Sequence, residues 1–303
     1  MAGSFIDEYN ALSARVVGLY SVAQSVGATA SLPADLNTYN LSNFIGSIPG
    51  YKHFSDYVQD GLVLGWDGIE NAGVGTHASI LSALYDHSGN GYSGVVYSQS
   101  GGGSMTPAIS ADVFNNGIHL SGQYAMIQAD GTREVLSAIG NQEITVEVLM
   151  ERLDYSEDGR WAIWACSPGD QWYGSSIART YFLNTNTPTY ARWKNEYVFF
   201  SGASGSLPQW TMGTMTSVGK PRGYEQWLNG VLRTSYAQDN QNTTDALDNF
   251  RIGGYGGKNS LQQSNFNFHC ARVYNRILTP EEIAHNRAVD VARFNIQNQL
   301  SAT

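Results

Sequence analysis

The sequence predicts a mainly β protein, an antiparallel β-sandwich with a helical segment at each end. Aromatic residues make up 12% of the 303 residues, glycine contributes 33 residues, and only 14% of residues are charged. This mixture is typical of turn-rich β folds. From Gly61 onward, short apolar runs alternate with Gly, Asn and Ser turns. No helical pattern alternates with these runs, so we expect the strands to pair antiparallel.

Seven segments of this region have the composition of strands. The segment ITVEVLM alternates apolar and polar residues, although Leu149 interrupts the polar face. The segment YEQWLNGVLRTSY contains Asn229-Gly230 between two strand-like runs, which is the strongest short-range hairpin signal. The predicted strand segments are 62–66, 144–150, 161–166, 196–202, 224–236, 250–257 and 266–275.

A short helix is predicted directly after the last strand, within CARVYNRILTPEEIAHN. Thr279 is expected at the N-cap, Pro280 at the first helical position, and Glu282 three residues after the cap, where its side chain can close a capping box. Glu281 and Glu282 also suit the positive start of a helix. We expect this helix to cover one end of the sandwich.

The N-terminal region has a different pattern, an apolar residue every 3.5 positions over about three heptads. This spacing predicts a helix over 4–27 that oligomerises or docks, and the alternative is an amphipathic helix packed on its own domain. A shorter apolar pattern ends at Pro49-Gly50. The predicted organisation is a helical anchoring region (1–50), a linker (51–60) and a β-sandwich domain (61–303). The predicted oligomerisation residues are Phe5, Tyr9, Leu12, Val16, Leu19, Ala23 and Val26.

Charge and cysteine content exclude several classes of function. The chain has 26 acidic and 17 basic residues without a Lys/Arg cluster, so a nucleic-acid partner is not expected. Cys166 and Cys270 are too few for a cysteine metal site or a disulfide framework, and they form either two buried free thiols or one bridge. No run of 18 apolar residues and no secretory signal pattern is present, so neither a membrane span nor export is predicted.

Several of these motifs resemble the concanavalin A-like lectin/glucanase superfamily, in its laminin-G-like and pentraxin-like branch. The resemblance covers about 61–296 and implies a jelly-roll β-sandwich. Because the superfamily includes lectins, glycosidases and spacer domains, the resemblance does not fix the function. The segments that carry it are LYDHSGNGYSG, NQEITVEVLMERL, QWLNGVL, RIGGYGG and CARVYNRILTPEEIAHN.

A glycosidase is the sharpest enzyme hypothesis, and the sequence argues against it. Glycosidases need two carboxyl groups between about 5 and 9.5 Å apart. The corresponding strand offers Glu143, Glu147 and Glu151, whose four-residue spacing places neighbours about 13 Å apart on a strand. The glucanase-type ExDxxE-like run would also need a central Asp, which is missing. The sequence therefore predicts that the protein is not an enzyme.

A glycan site needs aromatic rings for the apolar face of a sugar and planar polar groups for its hydroxyls. The segment SPGDQWYGSS and one later tryptophan combine these groups, and the alternative is that the aromatics fill the core or an oligomer interface. Asp86 and Asn90 could bind Ca²⁺, but the SGNG turn accounts for both, so no cofactor is predicted. The candidate ligand-binding residues are Asp170, Gln171, Trp172, Tyr173 and Trp193.

The resemblance and the N-terminal region together favour a bacteriophage virion protein, as a capsid decoration, head fibre or tail-associated component. Residues 1–50 would contact other virion proteins and join the copies of a homo-oligomer, while the lectin-like domain would be displayed. The alternatives are a bacterial secreted or surface glycan-binding module, an interaction domain without a ligand and, least favoured, a glycoside hydrolase. The expected localisation is the virion, or else the extracellular space or bacterial surface.

Overall fold

A computed structural model describes the strands of two β-sheets, a C-terminal helix and some of the residues that adjoin them. The predicted helical region 1–50, with all seven heptad residues, lies outside the described residues. The described residues are 52–70, 83–98, 106–107, 112–114, 117–120, 125–129, 143–152, 160–166, 178–183, 190–193, 196–199, 212–220, 223–236, 250–252, 266–294 and 296.

The first sheet has eight strands, all paired antiparallel, in the order β15-β14-β13-β8-β17-β6-β5, with β1 also paired to β17. Its strands are β1 (Leu62–Asp67), β5 (Asp112–Phe114), β6 (Gly117–Leu120), β8 (Ile144–Arg152), β13 (Met212–Lys220), β14 (Gly223–Leu228), β15 (Val231–Tyr236) and β17 (Phe266–Tyr274).

The second sheet has nine strands, also antiparallel, in the order β12-β11-β10-β9-β16-β7-β3-β2, with β4 paired to β3. Its strands are β2 (Ala83–Leu84), β3 (Gly94–Ser98), β4 (Thr106–Pro107), β7 (Ala125–Ala129), β9 (Arg160–Cys166), β10 (Ala178–Leu183), β11 (Tyr190–Trp193), β12 (Glu196–Phe199) and β16 (Arg251–Ile252).

The two sheets meet through Trp66 of the eight-stranded sheet. Its ring lies 5.8 Å from that of Phe250, which precedes β16, and its indole donates a hydrogen bond to the Tyr92 carbonyl at 2.9 Å. Gly94 on β3 makes this approach possible, because a Cβ there would lie 2.8 Å from the Trp66 ring. A mainly β, antiparallel architecture is therefore confirmed, while its jelly-roll connectivity stays a prediction.

The predicted C-terminal helix is present as α1 (Pro280–Phe294). The Thr279 amide donates to Glu282 Oε2 at 2.8 Å, and the Glu282 amide donates to Thr279 Oγ1 at 3.3 Å, which confirms the capping box. No helix among the described residues is long and apolar enough to cross a membrane.

The position of α1 differs from the prediction, because it lies across the outer face of the eight-stranded sheet instead of at one end of the sandwich. Successive residues of a strand alternate between its two faces. On β17, Ala271 pairs beside Trp66 on the inner face, whereas Arg272 bonds to Asp290 of α1. The helix therefore forms a third layer, and the nine-stranded sheet lies on the opposite side.

The segment predicted as a linker packs into this third layer. A short 3-10 turn, Phe54–Asp56, begins it. Phe54 and Tyr57 are each 2% exposed and belong to one core cluster with Leu149, Cys270 and residues of α1. The Phe54 ring also covers Gly65 so closely that a Cβ at Gly65 would lie 2.5 Å from it. The boundary of the N-terminal region stays a prediction, but residues 52–58 are part of the β domain's packing.

The hairpin predicted at Asn229-Gly230 is confirmed. Asn229 has φ of 52° and Gly230 has φ of 79°, the pair of positive angles that a type I′ turn requires. The Asn229 side-chain oxygen accepts a hydrogen bond from the Thr214 amide at 2.9 Å, which ties this turn to β13.

Candidate functional site

One end of the nine-stranded sheet contains Trp193, one of the five positions predicted to bind a ligand. The backbone register pairs Cys166 with Ala178, Ala178 with Trp193, and Trp193 with Glu196, so β9 to β12 share one row. Neighbouring strands lie about 4.8 Å apart, and the row is therefore about 14 Å wide. Of the predicted ligand-binding residues, Trp193 lies in this row.

The other four candidates are outside the described residues, but the strands that flank them are described. Asp170, Gln171, Trp172 and Tyr173 fall between Cys166, the last residue of β9, and Ala178, the first residue of β10. Ala178 pairs directly with Trp193. The strand that follows this segment in the sequence therefore pairs with the strand that carries Trp193, which sequence spacing alone does not reveal.

Sequence reasoning missed two arginines in the next row of the same strands. Arg179 on β10 pairs with Arg192 on β11, and Arg192 pairs with Tyr197 on β12. The two arginines are 13 positions apart in the sequence, so only the strand pairing brings their backbones together. A prediction of β10 and β11 with their register would have found them.

On the opposite side of the molecule, α1 is joined to the sheet by a buried ionic network around Arg272. Its Nε donates to Glu147 Oε2 at 2.9 Å, and its two terminal nitrogens donate to the Asp290 carboxylate at 2.8 and 3.1 Å. Tyr57 and Thr214 donate their hydroxyl protons to Asp290 at 2.7 and 2.6 Å. All of these side chains are at most 2% exposed.

The two carboxyl groups of this network differ in their acidity. Burial would raise the pKa of Asp290, but the Arg272 charge and hydrogen bonds from Arg272, Thr214 and Tyr57 outweigh it and lower the pKa. For Glu147, burial outweighs the attraction of Arg272, and the pKa is raised. Glu147 is 1% exposed and is hydrogen-bonded by Asn286 at 2.7 Å. It therefore serves to hold α1 and has no access to a solvent-borne substrate.

A second ionic cluster lies at the end of α1, around Arg293. This guanidinium pairs with Asp67 of β1 and lies 3.3 Å from Glu70 Oε1. The same Glu70 oxygen accepts a hydrogen bond from the Phe54 amide at 3.3 Å and lies 3.2 Å from His53 Nδ1. Arg272 and Arg293 are thus each paired with two carboxylates, and the second cluster fixes the segment that precedes β1.

Asp86 and Asn90, which were weighed as calcium ligands, organise the turn between β2 and β3. Asp86 accepts hydrogen bonds from the amides of Gly65, Ser88 and Tyr92 at 2.9–3.0 Å, so both of its carboxylate oxygens are engaged. Asn90 donates from its side-chain nitrogen to the Val63 carbonyl at 3.0 Å. Within the residues that the structure describes, no group of three or more His, Cys, Asp or Glu side chains could hold a metal ion.

Of the two cysteines, Cys270 is a buried free thiol on β17. Burial raises the pKa of this thiol, which keeps it protonated and unreactive. Arg272 donates to its sulfur at 3.2 Å. Of the two alternatives for the cysteines, a free Cys270 agrees with unpaired thiols.

The sequence matches no protein-family model and no curated protein. The fold is similar to solved structures. Trypanosoma rangeli sialidase in complex with sialic acid has a TM-score of 0.55 and 13% identity, over 93% of this chain and 39% of that one. The receptor-binding domain of a botulinum neurotoxin C/D mosaic serotype has a TM-score of 0.54 and 11% identity, over 77% of this chain and 52% of that one.

A third similar structure, of botulinum neurotoxin type C, concerns cell entry that depends on two ganglioside molecules, with a TM-score of 0.52 and 12% identity. The chain spans 39% to 52% of the length of these three proteins. At such low identities the likeness is one of fold, and it supports a β-rich architecture. The concanavalin A-like assignment stays a prediction.

Proposed function

We propose that the chain is a non-enzymatic, lectin-like module of the concanavalin A-like jelly-roll type, which binds glycans at the β9–β12 end of the nine-stranded sheet. The observation that carries this proposal is the register of that end. It places Trp193 beside Ala178, where the segment containing Asp170 to Tyr173 joins β10. Aromatic rings and planar polar side chains on one sheet end are the combination that sugar recognition requires.

Two further facts support a binding role. The similar structures include a sialidase in complex with sialic acid and a toxin whose cell entry depends on gangliosides, both of which concern glycans. Glu147, a candidate in the glycosidase hypothesis, is enclosed beneath α1 and paired with Arg272. A buried, paired carboxylate is unsuited to protonating a glycosidic oxygen.

The setting that we propose is a bacteriophage virion, in which residues 1–50 join several copies and attach them to other virion proteins. The heptad spacing of residues 5–26 supports the joining role. A helical oligomerisation segment followed by a β domain suits a displayed module. The helices would hold several copies together, while each β domain would keep its own ligand site.

The binding role is tested on a glycan array with the full chain. We expect Trp172→Ala and Trp193→Ala each to weaken binding of the best array ligand about tenfold or more, as is usual for a central aromatic anchor. Tyr85→Ala is the matched control, since Tyr85 is 50% exposed and follows β2, at the opposite edge of the same sheet. If Tyr85→Ala weakens binding and both tryptophan variants do not, the site lies elsewhere.

The joining role is tested by the double change Leu12→Asp and Val16→Asp in the full chain. Two charges in an apolar seam should convert the oligomer to a monomer without changing the unfolding temperature of the β domain. Sedimentation velocity gives the mass of both forms. An unchanged oligomer would show that copies meet through another surface.

A further inference from the structure

The outer face of the eight-stranded sheet is covered unevenly. The side chains of α1 bond to Thr214 of β13, Glu147 of β8 and Arg272 of β17. On one side of the helix, the Phe54 ring lies against Gly65 and covers β1. On the other side, the sheet continues with β14 and β15. Among the described residues, no second helix lies over these last two strands.

The uncovered strip has the width of one helix and an apolar floor. Two strands at a spacing of about 4.8 Å make a strip about 10 Å wide, and a helix with its side chains is about 10–12 Å across. Trp227 of β14 is the register partner of Leu232 of β15 and of Thr216, whose hydroxyl bonds to Glu147 beneath α1. Trp227 and Leu232 therefore lie on the face that carries α1.

The β14–β15 hairpin brings this strip against the flank of α1. A Cβ at Gly230 would lie 3.8 Å from Arg287 Cβ and 3.9 Å from Ala284 Cα. Arg287 and Ala284 are one turn apart in the helix, so both belong to the flank that borders the hairpin. Ala284 is exposed, and Leu232 is 43% exposed. Ala284, Trp227 and Leu232 thus line an apolar groove, the α1–β15 groove, with Arg287 at its edge.

Arg287 is the charged group of this groove. Burial lowers the pKa of its guanidinium, and the nearby Asp290 partly offsets that effect. Its Nη1 donates to Thr214 Oγ1 at 3.2 Å. Within the part of the chain that the structure describes, Arg287 forms no salt bridge, whereas Arg272 is paired with two carboxylates. A partly buried guanidinium beside an apolar floor suits an amphipathic partner that brings a carboxylate.

We propose that the chain's own residues 4–27 occupy the α1–β15 groove as a helix alongside α1, with Glu8 paired to Arg287. This inference goes beyond the glycan-binding and joining roles, because it adds a contact between the N-terminal region and its own domain. The predicted helix has the apolar stripe that the groove requires. Glu8 lies three residues after Phe5 and four before Leu12, both members of that stripe, so a helix places Glu8 along the stripe's edge.

The path of the chain favours this occupant. The described residues begin at Lys52, whose carbonyl bonds to Arg293 near the end of α1. Residues 28–51 can span up to about 80 Å when extended, whereas the 15 residues of α1 extend about 22 Å. The helix can therefore reach the whole groove. A second copy docked through the same groove would bring two Arg287 side chains to one interface without supplying a carboxylate.

Trypsin tests the proposal on the full chain, because Arg15 is the only Lys or Arg among residues 1–50. A docked helix protects Arg15, so the cleavage rate follows the population of the undocked state. Mass spectrometry follows the loss of residues 1–15. Leu232→Asp should speed this cleavage about tenfold or more, since a charge replaces an apolar contact in the groove floor.

Val231→Asp is the matched control. Val231 and Leu232 are consecutive on β15 and have exposed fractions of 50% and 43%, but they face opposite sides of the sheet. Val231→Asp should leave the cleavage rate of the parent protein unchanged. Because both side chains are exposed, both variants should keep the circular dichroism of the parent. Equal cleavage rates in the two variants would overturn the inference.

The ion pair is tested by Arg287→Gln and Glu8→Gln. Each should speed cleavage by roughly threefold to tenfold, and the double variant no more than either change alone, because one pair is lost in all three. Asp7→Asn is the control, since Asp7 precedes Glu8 and points away from the stripe in a helix. Additive effects, or an equal effect of Asp7→Asn, would overturn the pairing of Glu8 with Arg287.

Sedimentation velocity separates the chain's own helix from that of a second copy. Leu232→Asp should leave the mass of the protein unchanged. A smaller mass would show that a second copy occupies the groove, and it would overturn the inference. If the parent protein is itself a monomer, the proposed joining role fails, and the comparison of Leu232→Asp with Val231→Asp still decides the groove.

Discussion

The α1 side and the β9–β12 end of the molecule differ in what brings distant residues together, side-chain ion pairs on one and backbone register on the other. On the α1 side, Arg272 and Arg293 are buried and each is paired with two carboxylates, so the charges are satisfied within the chain. At the β9–β12 end, Arg179 and Arg192 are placed opposite each other in the register. Ion pairs enclosed within the chain mark a structural arrangement, whereas the register at the β9–β12 end sets which residues share a row.

The comparison also explains which motifs are easiest to recognise in the sequence. One of the segments that carry the family resemblance, CARVYNRILTPEEIAHN, supplies Arg272, the Tyr274 hydroxyl and Asn286 to the buried network. Buried hydrogen-bonded groups tolerate few substitutions, because each lost partner leaves another polar group unsatisfied. A recognisable motif of this kind therefore identifies the packing of a fold, and the ligand must be sought in less recognisable strands.

The largest expected effect follows from removing the aromatic pair that precedes β1. Phe54→Ala costs about 3–5 kcal/mol and Tyr57→Ala a similar amount, so the double variant approaches the whole stability of a typical domain. We expect it to be unfolded or nearly so by urea titration. Tyr85→Ala, at an exposed aromatic, should change the unfolding free energy by at most about 0.5 kcal/mol. A stable double variant would mean that residues 52–58 are dispensable.

Breaking the network is the next effect in size. Asp290→Ala leaves the Arg272 guanidinium buried with one carboxylate fewer, and we expect a loss of about 3–5 kcal/mol in unfolding free energy. Glu281→Gln, on the exposed side of α1, is the matched control and should cost less than about 0.5 kcal/mol. Glycan affinity per folded molecule should be the same in both variants. Weaker glycan affinity in folded Asp290→Ala would show that the network and the candidate glycan site are coupled and not independent.

The two acids of the network should give opposite pH dependences. Asp290 has a lowered pKa, so its stabilisation is present above the unfolded value of about 3.9 and is lost as the pH falls toward the folded value. Glu147 has a raised pKa, so stability is lost as the pH rises from the unfolded value of about 4.3 toward the folded one.

Urea unfolding at several pH values between about 3 and 7 separates these two contributions. Asp290→Asn should flatten the acid side of the stability profile, and Glu147→Gln should flatten the side above it. Each unit of pKa shift corresponds to about 1.4 kcal/mol. Unchanged slopes in both variants would contradict the assignment of these titrations.

The smallest effect concerns the cap of α1. Glu282 accepts the Thr279 amide and two hydrogen bonds from Arg276 at 2.8 and 2.7 Å, but it is partly exposed. Glu282→Gln should therefore cost only about 0.5–1 kcal/mol, measured as a shift of the urea midpoint. A loss as large as that of Asp290→Ala would show that the helix start, and not the network, holds α1.

The sequence was sufficient for features that depend on neighbouring residues. The cap at Thr279, the turn at Asn229-Gly230 and the strands around β8 and β17 follow from local spacing and were predicted. Strands with little apolar alternation, such as β10 and β11, were not. Their register, which places Arg179 opposite Arg192, depends on pairing between strands and has no local signal.

The burial of polar residues was also beyond local reasoning. Glu147 alternates with apolar residues on β8 and was assigned to a polar face, yet it is 1% exposed because α1 covers that face. Likewise, Tyr57 and Val58 lie in a stretch without periodicity, KHFSDYVQD. They are held against α1 by long-range hydrogen bonds, from the Tyr57 hydroxyl to Asp290 and from the Val58 amide to Asn286. Such contacts join residues more than 200 positions apart.

Residue 52 lies on the α1 side, which gives the domain two distinct sides. The Lys52 carbonyl accepts a hydrogen bond from Arg293 of α1 at 3.1 Å. An attachment through the preceding residues would therefore lie on the side of the helical layer. The nine-stranded sheet lies on the other side of the eight-stranded sheet, away from Lys52 and α1. In an array of copies joined through their N-terminal regions, many identical sheet ends would therefore point outward together. If each end binds a glycan as proposed, avidity would let many weak sites hold a glycan-coated surface firmly.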